Sequence, residues 1–284
     1  MRYVRLGKSG LEVSRLGLDC HSLGVAQRER GWDPMSYDGQ VFAIRTVHAA
    51  LDAGINIFDT SSSACGARGE TLLGRALSQK KADVLLASRA RTYSDGEDIS
   101  YSIIASLRRL RAHHLDILYL NDRPHADGGD NGNISEDILM ELDRLKRRGL
   151  VGHVGLLVSD PLRASSLVAT GCFDIVQLQC NVAKEGPVTD LLDACVRANI
   201  GVSIIKPLAS KTLKTVVSAL DADWRGSNAV RECCLRFLLG DRRVQLINVG
   251  MRWEHEVASN SRLFAGMDLP CGSPNEPMAL HAAQ

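Results

Sequence analysis

The stretch DGQVFAIRTVHAALDAGINIFDT, residues 38–60, carries one complete passage from helix to strand. Val41, Ile44, Val47, His48 and Leu51 recur at spacings of three and four, which puts them on one helix face, and Gly54 follows as a stop. NIFDT then reads as a short strand ending on an acid, Asp59.

The same alternation runs along the whole chain. After a hairpin in YVRLGKSGLEVSRL, whose turn signals are Gly7 and Gly10, strands are expected at RLGLDC (15–20), NIFDT (56–60), DVLLASR (83–89) and DILYLND (116–122). Four more follow at GHVGLLV (152–158), DIVQLQC (174–180), GVSIIKP (201–207) and VQLINVG (244–250). A stretch of helical period stands after each, including GETLLGRALSQ (69–79), DISYSIIASLRRLRAH (98–113) and EHEVASNSRLFAG (254–266). Eight such units predict an α/β fold, a closed (β/α)8 TIM barrel with an N-terminal β-hairpin, better than an open sheet. One domain over residues 1–284 is expected, with a mobile tail at 270–284.

A net charge of +1 gives no electrostatic reason to bind nucleic acid or an acidic membrane. With no apolar run long enough to span a bilayer and no leader-like N-terminus, the expected location is the cytoplasm and the expected partner a small molecule. The oligomeric state is left open. Eight cysteines show no metal-ligand spacing, so no metal is expected and most of them read as reduced core residues. Cys65, in the small-residue turn DTSSSACGARGETLLG (59–74), is the exception.

In a barrel of this kind the active site lies where the strands end. Here those ends carry Asp19, Cys20 and His21, then Asp59, Arg89, Asn121 and Asp122, then Gln177, Gln179, Asn181, Lys206 and Arg252. Two loops rich in Gly and Asp, at 28–40 and 123–135, fall on the same face.

The segments RLGKSGLEVSRLGL, HAALDAGINIFDT, GETLLGRAL, SLRRLRAHHLDILYL, GLVGHVG, DIVQLQCN and VGMRWEHEVASN together resemble the aldo-keto reductases, from about residue 3 to about residue 265. The resemblance implies a barrel that transfers hydride from NADPH to a carbonyl with an Asp, a proton-donating Tyr, a Lys and a His. The Asp falls on Asp59. The Tyr position falls on Cys65 counting back from Glu70, or on Ala64 counting forward from Asp59; the Lys falls on Arg89 and the His on Asn121. Three of the four are thus replaced. A thiol beside a guanidinium favours thiolate, and Arg89 neither copies the point charge of lysine nor gives up a proton.

The implied cofactor site is altered as well. Leu157 and Val158 stand where the family has Ser and Asn, and Ile205 stands where an aromatic ring stacks on the nicotinamide. Gln177, which in the family touches the nicotinamide amide, is retained, and the adenosine and phosphate end near Gly250, Met251, Arg252 and Asn260 is better kept. NADP is therefore expected to be held by its adenosine end, or not at all.

For Cys65 two readings stand: a small residue tolerated in a turn that no longer needs Tyr, or a thiol activated by Arg89 or His21. His21 is a base or a structural imidazole, and Lys206 an anion ligand or an imine-forming amine. Three functions follow in order. The first is a non-redox enzyme catalysing elimination, isomerisation or cyclisation on a small metabolite, with Asp59, Cys65, Arg89, Asn121, His21 and Lys206 as its polar set. The second is an inactive ligand- or NADP-binding pseudo-reductase. The third is an atypical carbonyl reductase whose proton donor is Tyr93 or His125.

Overall fold

The protein is described from a computed structural model covering residues 1–80, 82–90, 96–122, 134–181, 188–208 and 228–266. An antiparallel pair, β1 (Tyr3–Arg5) and β2 (Glu12–Ser14), precedes eight strands that close into a barrel. These are β3 (Leu16–Asp19), β4 (Ile57–Asp59), β5 (Leu85–Arg89), β6 (Leu115–Asn121), β7 (Val151–Val158), β8 (Ile175–Gln179), β9 (Gly201–Ile205) and β10 (Leu246–Val249). All neighbours are parallel, and β10 meets β3 with Ile247 opposite Leu16 and Val249 opposite Leu18. The helices are α1 (Tyr37–Asp52), α2 (Ala64–Gln79), α3 (Gly96–Leu110), α4 (Glu136–Arg147), α5 (Pro161–Ala169), α6 (Val188–Arg197), α7 (Asn228–Gly240) and α8 (Glu254–Gly266). One follows each barrel strand, as the alternation of apolar runs predicts.

The core divides in two because each inner strand buries both faces. Leu16, Leu18, Phe58, Leu118 and Val176 point outward against the helices. Ile57, Ala87, Ile117, Tyr119, Ile175 and Leu246 fill the lumen, and Leu6 and Val13 of the hairpin plug it from below. Asn56 ties that plug in place: its Oδ1 accepts from Ser14 N at 2.7 Å and its Nδ2 donates to the carbonyl of Glu12 at 2.8 Å.

Helix α2 begins at Ala64, five residues before the expected Gly69. Ser63 is the cause, since its hydroxyl accepts from Gly66 N at 3.3 Å and caps the helix. The stretch that reads as a turn is therefore the first turn of a helix, with Cys65 in it. That turn packs under a 3-10 turn at Cys20–Gly24, and the approach requires glycine: a Cβ on Gly24 would lie 1.8 Å from the Cys65 carbonyl oxygen. Helix α3 stops at Leu110, before Arg111, which takes φ 54°.

The loop after β3 is held firmly across α8. Trp32 is fully buried and donates from Nε1 to the Leu23 carbonyl at 3.2 Å. It meets Trp253 edge-on with centroids 5.4 Å apart, Arg30 lies 4.7 Å over the Trp253 ring, and the Arg30 guanidinium pairs with Glu256 at 3.0 Å. Most of the second long loop, 123–133, and the tail from 267 lie outside the described residues. Among the described residues no helix is long and apolar enough to cross a membrane, and no group of three or more His, Cys, Asp or Glu suits a metal ion.

Gly24→Ala should lower the stability of the barrel by about 2–3 kcal/mol, because a methyl has no room between backbone segments. Denaturant unfolding checks this, and an unchanged midpoint contradicts the packing described.

Candidate functional site

Alternation along the strands decides what enters the mouth. Asp59 ends β4 opposite Asp19 of β3, Arg89 ends β5, and Gln177 lies on β8. Asp59 is fully buried, and an isolated carboxylate there would be costly. Arg89 Nη2 meets its Oδ2 at 2.5 Å. The same guanidinium donates from Nε to Gln177 Oε1 at 2.8 Å, and Gln177 Nε2 returns to Asp59 Oδ2 at 2.9 Å. The three side chains close a ring across the throat.

Burial pushes the Asp59 carboxyl up to about 6; the Arg89 cation works against that shift and Asp19 adds to it. Beneath the ring lies a polar storey absent from the expected site residues: Tyr119, Ser203 and Asn248, with Asn248 Nδ2 donating to Ser203 Oγ at 2.9 Å. Burial, then the charge of Asp59, holds the Tyr119 phenol protonated. These residues were legible by counting inward in steps of two from Asn121, Ile205 and Gly250.

Two expectations change here. Gln177 is retained, yet both ends of its amide are engaged with Arg89 and Asp59, so it does not present a free amide to a nicotinamide. Cys65 is met by neither Arg89 nor His21: its Sγ accepts from Arg68 Nη2 at 3.3 Å, and Arg68 is anchored by Nε to the Gly24 carbonyl at 2.9 Å. Arg68, one helical turn on, carried no signal in the strand-end pattern.

His21 is half-buried on the 3-10 turn after β3, with Nδ1 3.3 Å from Ser61 Oγ. Its pKa is lowered, first by burial and then by Arg89, Lys206 and Arg252, against the opposing charge of Asp19. The ring is thus largely neutral at pH 7. Lys206 is exposed at the end of β9 with φ 50°, and Asn121 is half-buried at the end of β6, opposite Leu157. Tyr93 and His125 lie outside the described residues.

On the β10 side, Gly250 is exposed, whereas the Met251 side chain is fully buried in the core, leaving its carbonyl to accept from Ser22 Oγ at 3.3 Å. Arg252 is 9 % exposed and Asn260 2 %. Arg252 Nε and Asn260 Oδ1 are buried without a hydrogen-bond partner among the described residues. A donor and an acceptor left open in this way suit the adenosine and phosphate end of a dinucleotide. The nicotinamide end does not fit: Gln177 is engaged, and Leu157, Val158 and Ile205 offer no side-chain hydrogen bond.

The model of the Aldo/keto reductase family matches residues 22–228. This chain belongs to that family. L-galactose dehydrogenase of Arabidopsis thaliana is 27 % identical over 283 residues, covering 90 % of this chain and 85 % of the relative. Among solved structures, an aldo-keto reductase from Bacillus halodurans in its holo form superposes with a TM-score of 0.75 at 20 % identity, over 95 % of this chain and 92 % of the other. The glycerol dehydrogenase of Gluconobacter oxydans gives 0.74 at 20 % identity, over 94 % and 91 %. These two likenesses speak for the fold. Within the family frame, the throat of this chain is filled by its own ion pair.

Arg89→Met should destabilise the fold by about 3–5 kcal/mol by leaving Asp59 unpaired, while Asp59→Asn with Arg89→Met recovers most of the loss. Additive losses contradict the pair. Because the folded pKa of Asp59 is raised from 3.8 to about 6, its contribution is full below pH about 4 and lost as pH rises through 6. Unfolding from pH 4 to 7 should show this component in the parent and not in Asp59→Asn.

Proposed function

We propose that this chain is a non-redox enzyme of the aldo-keto reductase family, moving a proton on a small carbonyl- or carboxylate-bearing metabolite in an isomerisation or elimination. One observation carries the reading: Arg89 lies across the throat tied to both Asp59 and Gln177, which takes the retained amide away from a nicotinamide.

His21 is the proton-transfer residue of this mechanism. A largely neutral imidazole in a partly buried mouth takes up and returns protons near pH 7. It removes a proton from the carbon beside the carbonyl and the C–H electron pair passes into an enolate; in isomerisation that carbon bears a hydroxyl whose proton passes to the former carbonyl oxygen while the ring returns its own proton to the former carbonyl carbon, and in elimination the enolate expels a β-hydroxyl, its C–O bond breaking as the ring protonates it. Arg89, Lys206 and Arg252 lend positive charge to the enolate as it forms. Asp59, fully buried, holds Arg89 and does not touch substrate.

A second reading rests on a separate observation, the open Arg252 Nε and Asn260 Oδ1. In it the chain binds NADP by the adenosine end without turnover. A rise in melting temperature with ADP that Arg252→Gln removes supports it; no rise at millimolar ADP ends it.

The test of the first reading is NMR in deuterated water with a panel of 2-oxo acids, 2- and 3-hydroxy acids and hydroxyketones. Exchange or dehydration of at least one compound is expected, falling at least about 100-fold in His21→Gln. Parent-level rates in that variant contradict the reading, as does oxidation of NADPH or NADH by any of the same compounds.

A further inference from the structure

Behind His21 runs a line of hydroxyls that the mechanism has not used. Ser61 Oγ lies 3.3 Å from His21 Nδ1 and 3.0 Å from Ser63 Oγ, and Ser63 Oγ accepts from Gly66 N at 3.3 Å. Ser61 is 6 % exposed, so its hydroxyl has the ring and Ser63 for partners and little water. Ser63 is exposed at the start of α2. His21 Nε2 has no hydrogen-bond partner among the described residues and is not one of the buried unpartnered atoms, so it is accessible to solvent.

The line can run in either direction. In one, Ser63 donates to Ser61 and Ser61 donates to Nδ1, which leaves the proton of the neutral ring on Nε2. In the other, Nδ1 donates to Ser61, Ser61 donates to Ser63, and Nε2 is bare. Both satisfy every hydroxyl, since Ser63 accepts from Gly66 in either case and its own proton can reach water. Local hydrogen-bond counting therefore does not choose between them.

Charge does. The ring stands among three cations, Arg89, Lys206 and Arg252, and one acid, Asp19. Asp19 already accepts from the His21 backbone N at 3.0 Å. Arg89 is paired with Asp59, and Glu256 is shared between Arg30 and the Arg252 backbone N. A neutral imidazole is a dipole whose bare nitrogen is its negative end; Lys206 and Arg252 follow β9 and β10, on the side of β3 away from β4 and Ser61, and draw that end away from Ser61 toward themselves. The opposing pull comes from the N-terminus of α2, which amounts to about half a charge.

We propose that Ser61 is the positioning residue of His21, accepting from Nδ1–H and so holding Nε2 bare and turned to the mouth as the base. This rests on the role given to His21 above. The hydroxyl of Ser61 is the part that matters, and Ser63 keeps it oriented by accepting its proton.

The tautomer is directly observable in the free protein. Long-range 15N–1H correlation spectra of 15N-labelled protein at a pH above the His21 titration should show the bonded proton on Nδ1 and a bare Nε2. In Ser61→Ala the preference should fall by at least tenfold toward a mixture, and Ser61→Thr, which keeps the hydroxyl, should restore it. A proton on Nε2 in the parent overturns the proposal, and so does an unchanged Nδ1–H preference in a folded Ser61→Ala. Since no substrate is needed, a wrong tautomer is distinguishable from a failed proton-exchange assay, which would count against the function and leave the tautomer standing.

Discussion

A carboxylate at the end of β4 is buried completely, and the arrangement of the mouth follows from how that charge is answered. Asp59 and Arg89 together form an ion pair that removal of either member would leave uncompensated in a water-poor throat. The guanidinium is planar and multiply donating, so while one nitrogen serves Asp59 another reaches Gln177 across the lumen. A lysine in that place would supply a point charge and leave the amide free. A guanidinium at this strand end thus engages a residue on the opposite side of the barrel.

The consequences spread in two directions. Downward, the ring sits on Tyr119, Ser203 and Asn248, so the upper lumen is polar where the lower lumen is plugged by Leu6 and Val13. Upward, burial first and then the field of Arg89, Lys206 and Arg252 keep the neighbouring imidazole largely neutral. The loop carrying His21 is not free to drift: its turn is packed on α2 through Gly24, and Trp32, Trp253 and the Arg30–Glu256 pair fasten the remainder to α8. Rigid elements on both sides hold the polar residues of the mouth in register.

Much of this was readable from the chain. Eight apolar runs alternating with helical periods identify the barrel because period and length are local properties, and Asp59, Arg89 and Asn121 declare themselves as polar residues ending mostly apolar strands. The start of α2 was not readable, because Ser63 and a run of small residues look the same in a turn as in a capped first turn. The engagement of Gln177 was hidden for a different reason: it depends on the reach of a side chain 88 positions away in sequence. The contact of Cys65 with Arg68 lies within one helix, away from the strand ends, so the strand-end pattern does not reveal it.

We propose that the Arg89–Asp59–Gln177 ring leaves a nicotinamide without a seat. The most direct measurement is a titration of the protein with NADPH and NADH that follows the emission of the reduced nicotinamide itself. No saturable change in that emission is expected, even where melting temperature shows the dinucleotide to be bound. A saturable change in the nicotinamide signal, with either cofactor, would contradict it.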